Sequence, residues 1–160
     1  MTPIPLLTSV NSLGHVHLVV GDNNGIAAKR ARKSLESGAS CILFSPTDVE
    51  QLHFELRALI DDKRIVHVQR EFEENDLCVF GRQEVDRVVD MVFVTLPPHD
   101  IRTTWIASLC KRRRIPVNCV DSPENCTFSL LSTYRDGPLQ IGVSTSGKVS
   151  PPKYILTEGV

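Results

Sequence analysis

Short apolar runs alternate with longer stretches of mixed polarity along most of this chain. His15-Val-His-Leu-Val-Val20 is β-rich and bounded by Gly14 and Gly21, which predicts a buried first strand. The cluster Gly21-Asp-Asn-Asn-Gly25 predicts a turn. From Ile26 to Ser37 the apolar positions Ile26, Ala27, Ala31 and Leu35 recur at helical spacing, and Gly38 supplies a stop. Ser40-Cys-Ile-Leu-Phe44 is the next strand, closed by Ser45-Pro46. A second helix is expected from Asp48 to Ile60, with Val49, Leu52, Leu56, Leu59 and Ile60 on one face. Arg64 to Val68 reads as a third strand, Met91 to Thr95 as a fourth, and Ile115 to Cys119 as a fifth. Between them lie a charged stretch at 70–87, with one short helix expected around Asp76 to Phe80, and a clear helix from Asp100 to Arg113.

Strands that alternate with helices at these short intervals predict an α/β fold, a Rossmann-like parallel sheet with right-handed crossovers. The rhythm then changes. Phe128 to Tyr134 and Leu139 to Thr145 are β-rich and separated by Arg135-Asp-Gly-Pro138, the pattern of a β-hairpin. A boundary is therefore expected near residue 122. It leaves a lead-in at 1–13, a Rossmann-like domain at 14–121 and a partial β-rich segment at 122–160. No internal repeat or low-complexity tract interrupts this order.

Composition narrows the function classes. A formal net charge of −1 provides no field for nucleic acid or an anionic membrane, so neither partner is expected. The single basic run, Lys111-Arg-Arg-Arg114, closes a helix where cations suit the negative dipole end. It lacks the interleaved aromatics of a nucleic-acid surface. No apolar run approaches a membrane span. The lead-in has Pro3 and Pro5 and no signal-peptide character, so a cytoplasmic protein is expected. The five cysteines include no C-x-x-C pair, which signals reduced, buried thiols and no metal site. His15, His17 and His67 lie on expected strands and read as structural, while His99 reads as helix entry beside Pro97-Pro98.

Two places carry candidate chemistry. A glycine turn between a strand and a helix is where a dinucleotide pyrophosphate binds: glycines admit the backbone, and the helix N-terminus offers free N–H groups. Here Gly21 and Gly25 stand four apart, so Ala27 or Ala28 takes the close-packing position, and the turn either binds a ligand or is a plain βα connection. After the second strand, Asp48 either holds a ribose hydroxyl or caps the next helix. The second place is Val117-Asn-Cys-Val-Asp121-Ser-Pro. A carboxylate just past a parallel strand sits where open α/β sheets bind ligands, or else it opens an Asx turn before Pro123.

The Asp121 segment, followed by Cys126-Thr-Phe128, is not isolated. Leu18-Val-Val-Gly21, Ala28-Lys-Arg-Ala-Arg32, Ser37-Gly-Ala39, Phe44-Ser-Pro46 and Leu139-Gln-Ile-Gly-Val-Ser-Thr-Ser-Gly147 occur with it in the order found in the siroheme synthase family. The chain resembles that family over roughly residues 14 to 150, and more closely the amino-terminal region of fungal uroporphyrinogen-III methyltransferases. The resemblance implies NAD-dependent oxidation of precorrin-2, a tetrapyrrole, to sirohydrochlorin in siroheme biosynthesis, with ferrochelatase activity in some members. It also implies a homodimer in the full-length family. By the same resemblance Asp121 is the catalytic carboxylate, a general base. Gly25 and Ile26, with Gly21 before them, form the pyrophosphate turn. Thr47 and Asp48 make the second nucleotide contact, Thr95 lies near the nicotinamide, and Ser144 and Thr145 border the tetrapyrrole cleft. No metal ligand is implied. Three departures stand out: the longer glycine turn, a threonine where an acidic residue often follows the Ser-Pro pair, and a divergent sequence after Gly147 ending at Val160. These leave an alternative expectation, a catalytically degenerate Rossmann module associated with a uroporphyrinogen-III methyltransferase.

Overall fold

Five of the apolar runs become the strands of one parallel sheet in the computed structural model, which describes residues 3–144. They are β1 (Val16–Val20), β2 (Ser40–Phe44), β3 (Val66–Val68), β4 (Met91–Val94) and β5 (Val117–Cys119), in the spatial order β3-β2-β1-β4-β5. The order reverses between β1 and β4, the Rossmann switch point. All pairings are parallel, so every strand delivers its carboxyl end to the same edge of the sheet.

Helices cover both faces, which is why the central strands are apolar on both sides. On one face Leu18, Val20, Phe44, Val92 and Val94 pack with Ile106, Ala107, Leu109 and Cys110 of α3 (Ile101–Arg112). On the other, Val19, Leu43, Met91 and Phe93 meet Ala27, Ala28 and Ala31 of α1 (Ile26–Glu36), and Leu56 and Leu59 of α2 (Phe54–Asp61). Each fully buried leucine or valine in these layers contributes about 1.5–3 kcal/mol relative to an exposed one.

Two expected helices come out differently. The stretch 48–60 is broken: Asp48 caps a 3-10 turn at Val49–Gln51, and α2 begins only at Phe54. Leu52 (ψ 157) and His53 (ψ 139) are extended between the two pieces. Leu52 is buried in the α1–α2 layer, and the His53 Nδ1 accepts from Glu55 N at 3.3 Å, so the ring caps the true helix start. The helix expected near Asp76 to Phe80 is a 3-10 turn at Glu74–Cys78. Its shape is fixed by the buried Asp76 carboxylate, which receives both Arg70 guanidinium nitrogens (2.9 and 2.8 Å) and Glu73 N (2.7 Å).

The first compact unit extends to Phe128. Beyond Asp121 the chain folds back along β5: Thr127 N donates to Val117 O and Val117 N to Thr127 Oγ1, both at 2.8 Å. Asn118 Nδ2 donates to Phe128 O at 3.1 Å. These bonds cover an edge strand that would otherwise present unpaired backbone. The second unit begins at Ser129. Its described part is an antiparallel hairpin of β6 (Ser132–Asp136) and β7 (Leu139–Val143), joined by Gly137-Pro138. Gly137 has φ 55 at the first central position, which a II′ hairpin turn reserves for glycine. No helix among the described residues is long and apolar enough to cross a membrane.

Candidate functional site

At the carboxyl edge of the sheet, where β1, β2 and β4 end, a cleft of about 270 Å³ opens between Gly21-Asp-Asn-Asn24, Phe44-Ser-Pro-Thr47 and Leu96-Pro97. Glu71 and Arg102 complete its wall. This is the crevice at the switch point in which open α/β sheets bind ligands.

The glycine turn is shaped by its two ends. Gly21 has φ +97, and a Cβ there would stand 2.9 Å from the Thr95 carbonyl and the Leu96 nitrogen, so only glycine lets β1 leave the sheet this close to β4. Gly25 is left-handed, with φ 77, and is the N-cap of α1. It lacks a side chain to cap with, and no acidic residue occupies the first turn of the helix. The positive end of α1 is thus left uncompensated by its own residues, as an anion-binding helix terminus requires.

One side-chain pair links the turn to the end of β2. The buried Ser45 hydroxyl donates to Asp22 Oδ2 at 2.5 Å and accepts from Thr47 N at 3.1 Å. On the opposite wall, Arg102 is held by both Asp100 oxygens (Nη2–Oδ2 2.7 Å, Nε–Oδ1 3.0 Å) and by Glu71. Those carboxylates hold the guanidinium firmly in its charged form, and the bond from Arg102 in turn keeps the Asp100 carboxyl below its ordinary range.

Of the residues singled out from the sequence, Gly21 and Thr47 line the cleft. Gly25 is buried behind the turn, and Ile26 is half-buried at the start of α1. Asp48 is exposed, and its carboxylate accepts from Glu50 N at 3.0 Å as a cap. Thr95 is fully buried, its hydroxyl within 2.8 Å of Gly21 O and 3.3 Å of Val20 O. Asp121 is exposed just past β5, in left-handed backbone at φ 55, and its carboxylate has no hydrogen-bond partner among the described residues. The turn there is closed by backbone instead, Ser122 N to Cys119 O at 3.3 Å. Ser144 is exposed at the end of the hairpin unit, and Thr145 lies outside the described residues. His99 is exposed, with φ 63.

The sequence reading did not find Asp22 or Ser45. They are 23 residues apart, and their meeting depends on the β1–β2 register that sets Val20 opposite Phe44. Nothing local marks the pair.

The chain is similar to known proteins over most of its length. The uroporphyrinogen-III C-methyltransferase of Saccharomyces cerevisiae is 34% identical over 155 residues, which is 90% of this chain and 26% of that protein. The siroheme biosynthesis protein met8 of Schizosaccharomyces pombe is 34% identical over 143 residues, 89% of this chain and 50% of its own length. The chain therefore spans between about a quarter and a half of these relatives. Among solved structures, SirC, a precorrin-2 dehydrogenase, superposes with a TM-score of 0.64 at 18% identity, covering 96% of this chain and 67% of that one, a likeness of fold. Residues 10–132, which hold the sheet, the glycine turn and the Asp121 strand end, match the NAD_binding_7 family, described as "Putative NAD(P)-binding", and the chain belongs to that family.

Proposed function

We propose that this chain is an NAD-dependent precorrin-2 dehydrogenase that forms sirohydrochlorin, a step of siroheme biosynthesis. The observation that carries the reading is topological. Because β1, β4 and β5 are parallel neighbours, the glycine turn after β1 and Asp121 after β5 stand at the same edge of the sheet, on either side of β4. A cofactor site and an unengaged carboxylate on one edge are what a dehydrogenation needs.

The residues present fit a dinucleotide. The N-terminus of α1, which has no side-chain cap, supplies N–H groups and a dipole for a pyrophosphate, and Gly21 and Gly25 keep the two ends of the turn free of side chains. Thr47 lies in the same cleft. Bound nicotinamide would supply a two-electron hydride acceptor. The chain's own contribution to the chemistry is the proton: as the hydride leaves the macrocycle, Asp121 Oδ accepts the proton released from it and passes it to solvent, to which the residue is exposed. Thr95 acts from beneath, holding the turn against β4. Ser144 and Thr145 are assigned to the tetrapyrrole. The names of the relatives, in siroheme formation and uroporphyrinogen-III methylation, support a tetrapyrrole substrate.

Incubating folded protein with precorrin-2 and NAD should yield NADH and sirohydrochlorin. Asp121→Asn should lower turnover by about 100-fold or more while leaving the unfolding midpoint in place, since asparagine tolerates the same left-handed backbone. Dinucleotide binding without any turnover by the unaltered chain would refute the dehydrogenase and leave a non-catalytic module.

A further inference from the structure

Ser45 has one hydroxyl proton, and the structure spends it on Asp22. Thr47 N fixes the oxygen from one side (3.1 Å), and the carboxylate takes the proton on the other (2.5 Å). Asp22 belongs to the turn after β1, yet this bond anchors its charge at the carboxyl end of β2. There its second oxygen, Oδ1, has no hydrogen-bond partner among the described residues, and the residue lines the cleft.

The end of β2 is the place where a Rossmann site reads the ribose of its cofactor: a carboxylate accepts from a free 2′-hydroxyl, while a 2′-phosphate calls for a cation. In this chain the segment leaving β2, Ser45-Pro46-Thr47, has no acid in the cleft, and Asp48 is exposed and capping. Asp22 brings the missing charge from the neighbouring turn. The charge balance of the cleft agrees. Arg102 is the single cation among the lining residues, and it is committed to Asp100 and Glu71. A phosphate ester beside Asp22 would meet a fixed negative charge and no free positive one.

We propose that Asp22, held in place by Ser45, is the residue that selects a dinucleotide with an unmodified ribose over its 2′-phosphorylated counterpart, that is, NAD over NADP. The inference rests on the dinucleotide-binding reading above and names the residue that decides its cofactor.

Calorimetric titration of the full chain with NAD and with NADP separates the two readings. The unaltered protein should bind NAD at least about tenfold more tightly than NADP, the worth of one hydrogen bond to a charged group. Asp22→Asn, which keeps shape and removes charge, should bring the two affinities to within about threefold of each other, chiefly by weakening NAD and strengthening NADP. Ser45→Ala keeps the charge but releases it, and should give an intermediate ratio with an unchanged far-ultraviolet spectrum. Equal affinities in the unaltered chain, or a ratio untouched by Asp22→Asn, would overturn the assignment while dinucleotide binding stands. So would a gain for both ligands alike, which would make Asp22 a general repellent of the pyrophosphate. Binding of neither dinucleotide by folded protein would overturn the dinucleotide-binding reading, and this assignment with it.

Discussion

The Thr95 hydroxyl donates to the Gly21 carbonyl at 2.8 Å, across 74 residues of sequence, and ties the end of β4 to the first residue of the glycine turn. Both residues are buried, so the bond is made in a low-dielectric setting where a lost donor is not replaced by water. It fixes one end of the turn that frames the cleft.

Thr95→Val keeps the volume and removes the donor. The Gly21 carbonyl is then left short of a partner, and a loss of about 1–2 kcal/mol is expected. Urea unfolding followed by circular dichroism measures it, and an unchanged midpoint would show that the bond contributes nothing.

At Gly21 the expected effect is larger. A methyl group there combines a positive φ with a 2.9 Å approach to main-chain atoms of Thr95 and Leu96, which cannot rotate away. Gly21→Ala should cost about 2 kcal/mol or more. Gly14, also left-handed but with nothing near its absent Cβ, is the control that isolates strain from collision.

His17 predicts a pH dependence of stability. Burial beside Ser34 and the neighbouring His15 lower its pKa from 6.5 to about 4, against a smaller upward pull from Asp90. The unfolded chain therefore binds a proton between these values when the folded chain does not. The stabilisation is complete above about pH 6.5 and is lost as the pH falls through that window, by on the order of 3 kcal/mol. Unfolding midpoints measured across the window should fall on acidification, and His17→Asn should flatten the slope. A slope unaffected by the substitution would assign the effect elsewhere.

The thiols should divide into two groups. Burial pushes Cys41, Cys110 and Cys119 up to about 12, whereas Cys78 and Cys126 are only half-buried. In native protein an aromatic disulfide reagent should modify Cys78 and Cys126 first, with the other three reacting only on unfolding. Uniform reactivity of all five, read by peptide mass, would contradict this packing.

The strands were legible because parallel sheets bury both faces and so write apolar runs such as Leu18-Val-Val20 and Met91-Val-Phe-Val94 directly into the sequence. The break at Leu52-His53 was not, because the apolar spacing of Val49, Leu52 and Leu56 suits one helix and says nothing of a histidine capping the next turn. Asp121 could be placed at a strand end by counting. Asp22 could not be placed at the end of β2, since that depends on which strands are neighbours and in what register. Short-range signals reveal elements; the site is assembled from long-range ones.

The interrupted second helix has an effect beyond its own cap. His53, freed from the helix by the extended backbone before it, leans its Nε2 edge on Gly25, to 3.2 Å from where a side chain would begin. An imidazole thus serves as a brace behind the glycine turn. Had the helix run unbroken from Asp48, that ring would have been carried elsewhere on the spiral, and the far end of the glycine turn would stand without its backstop.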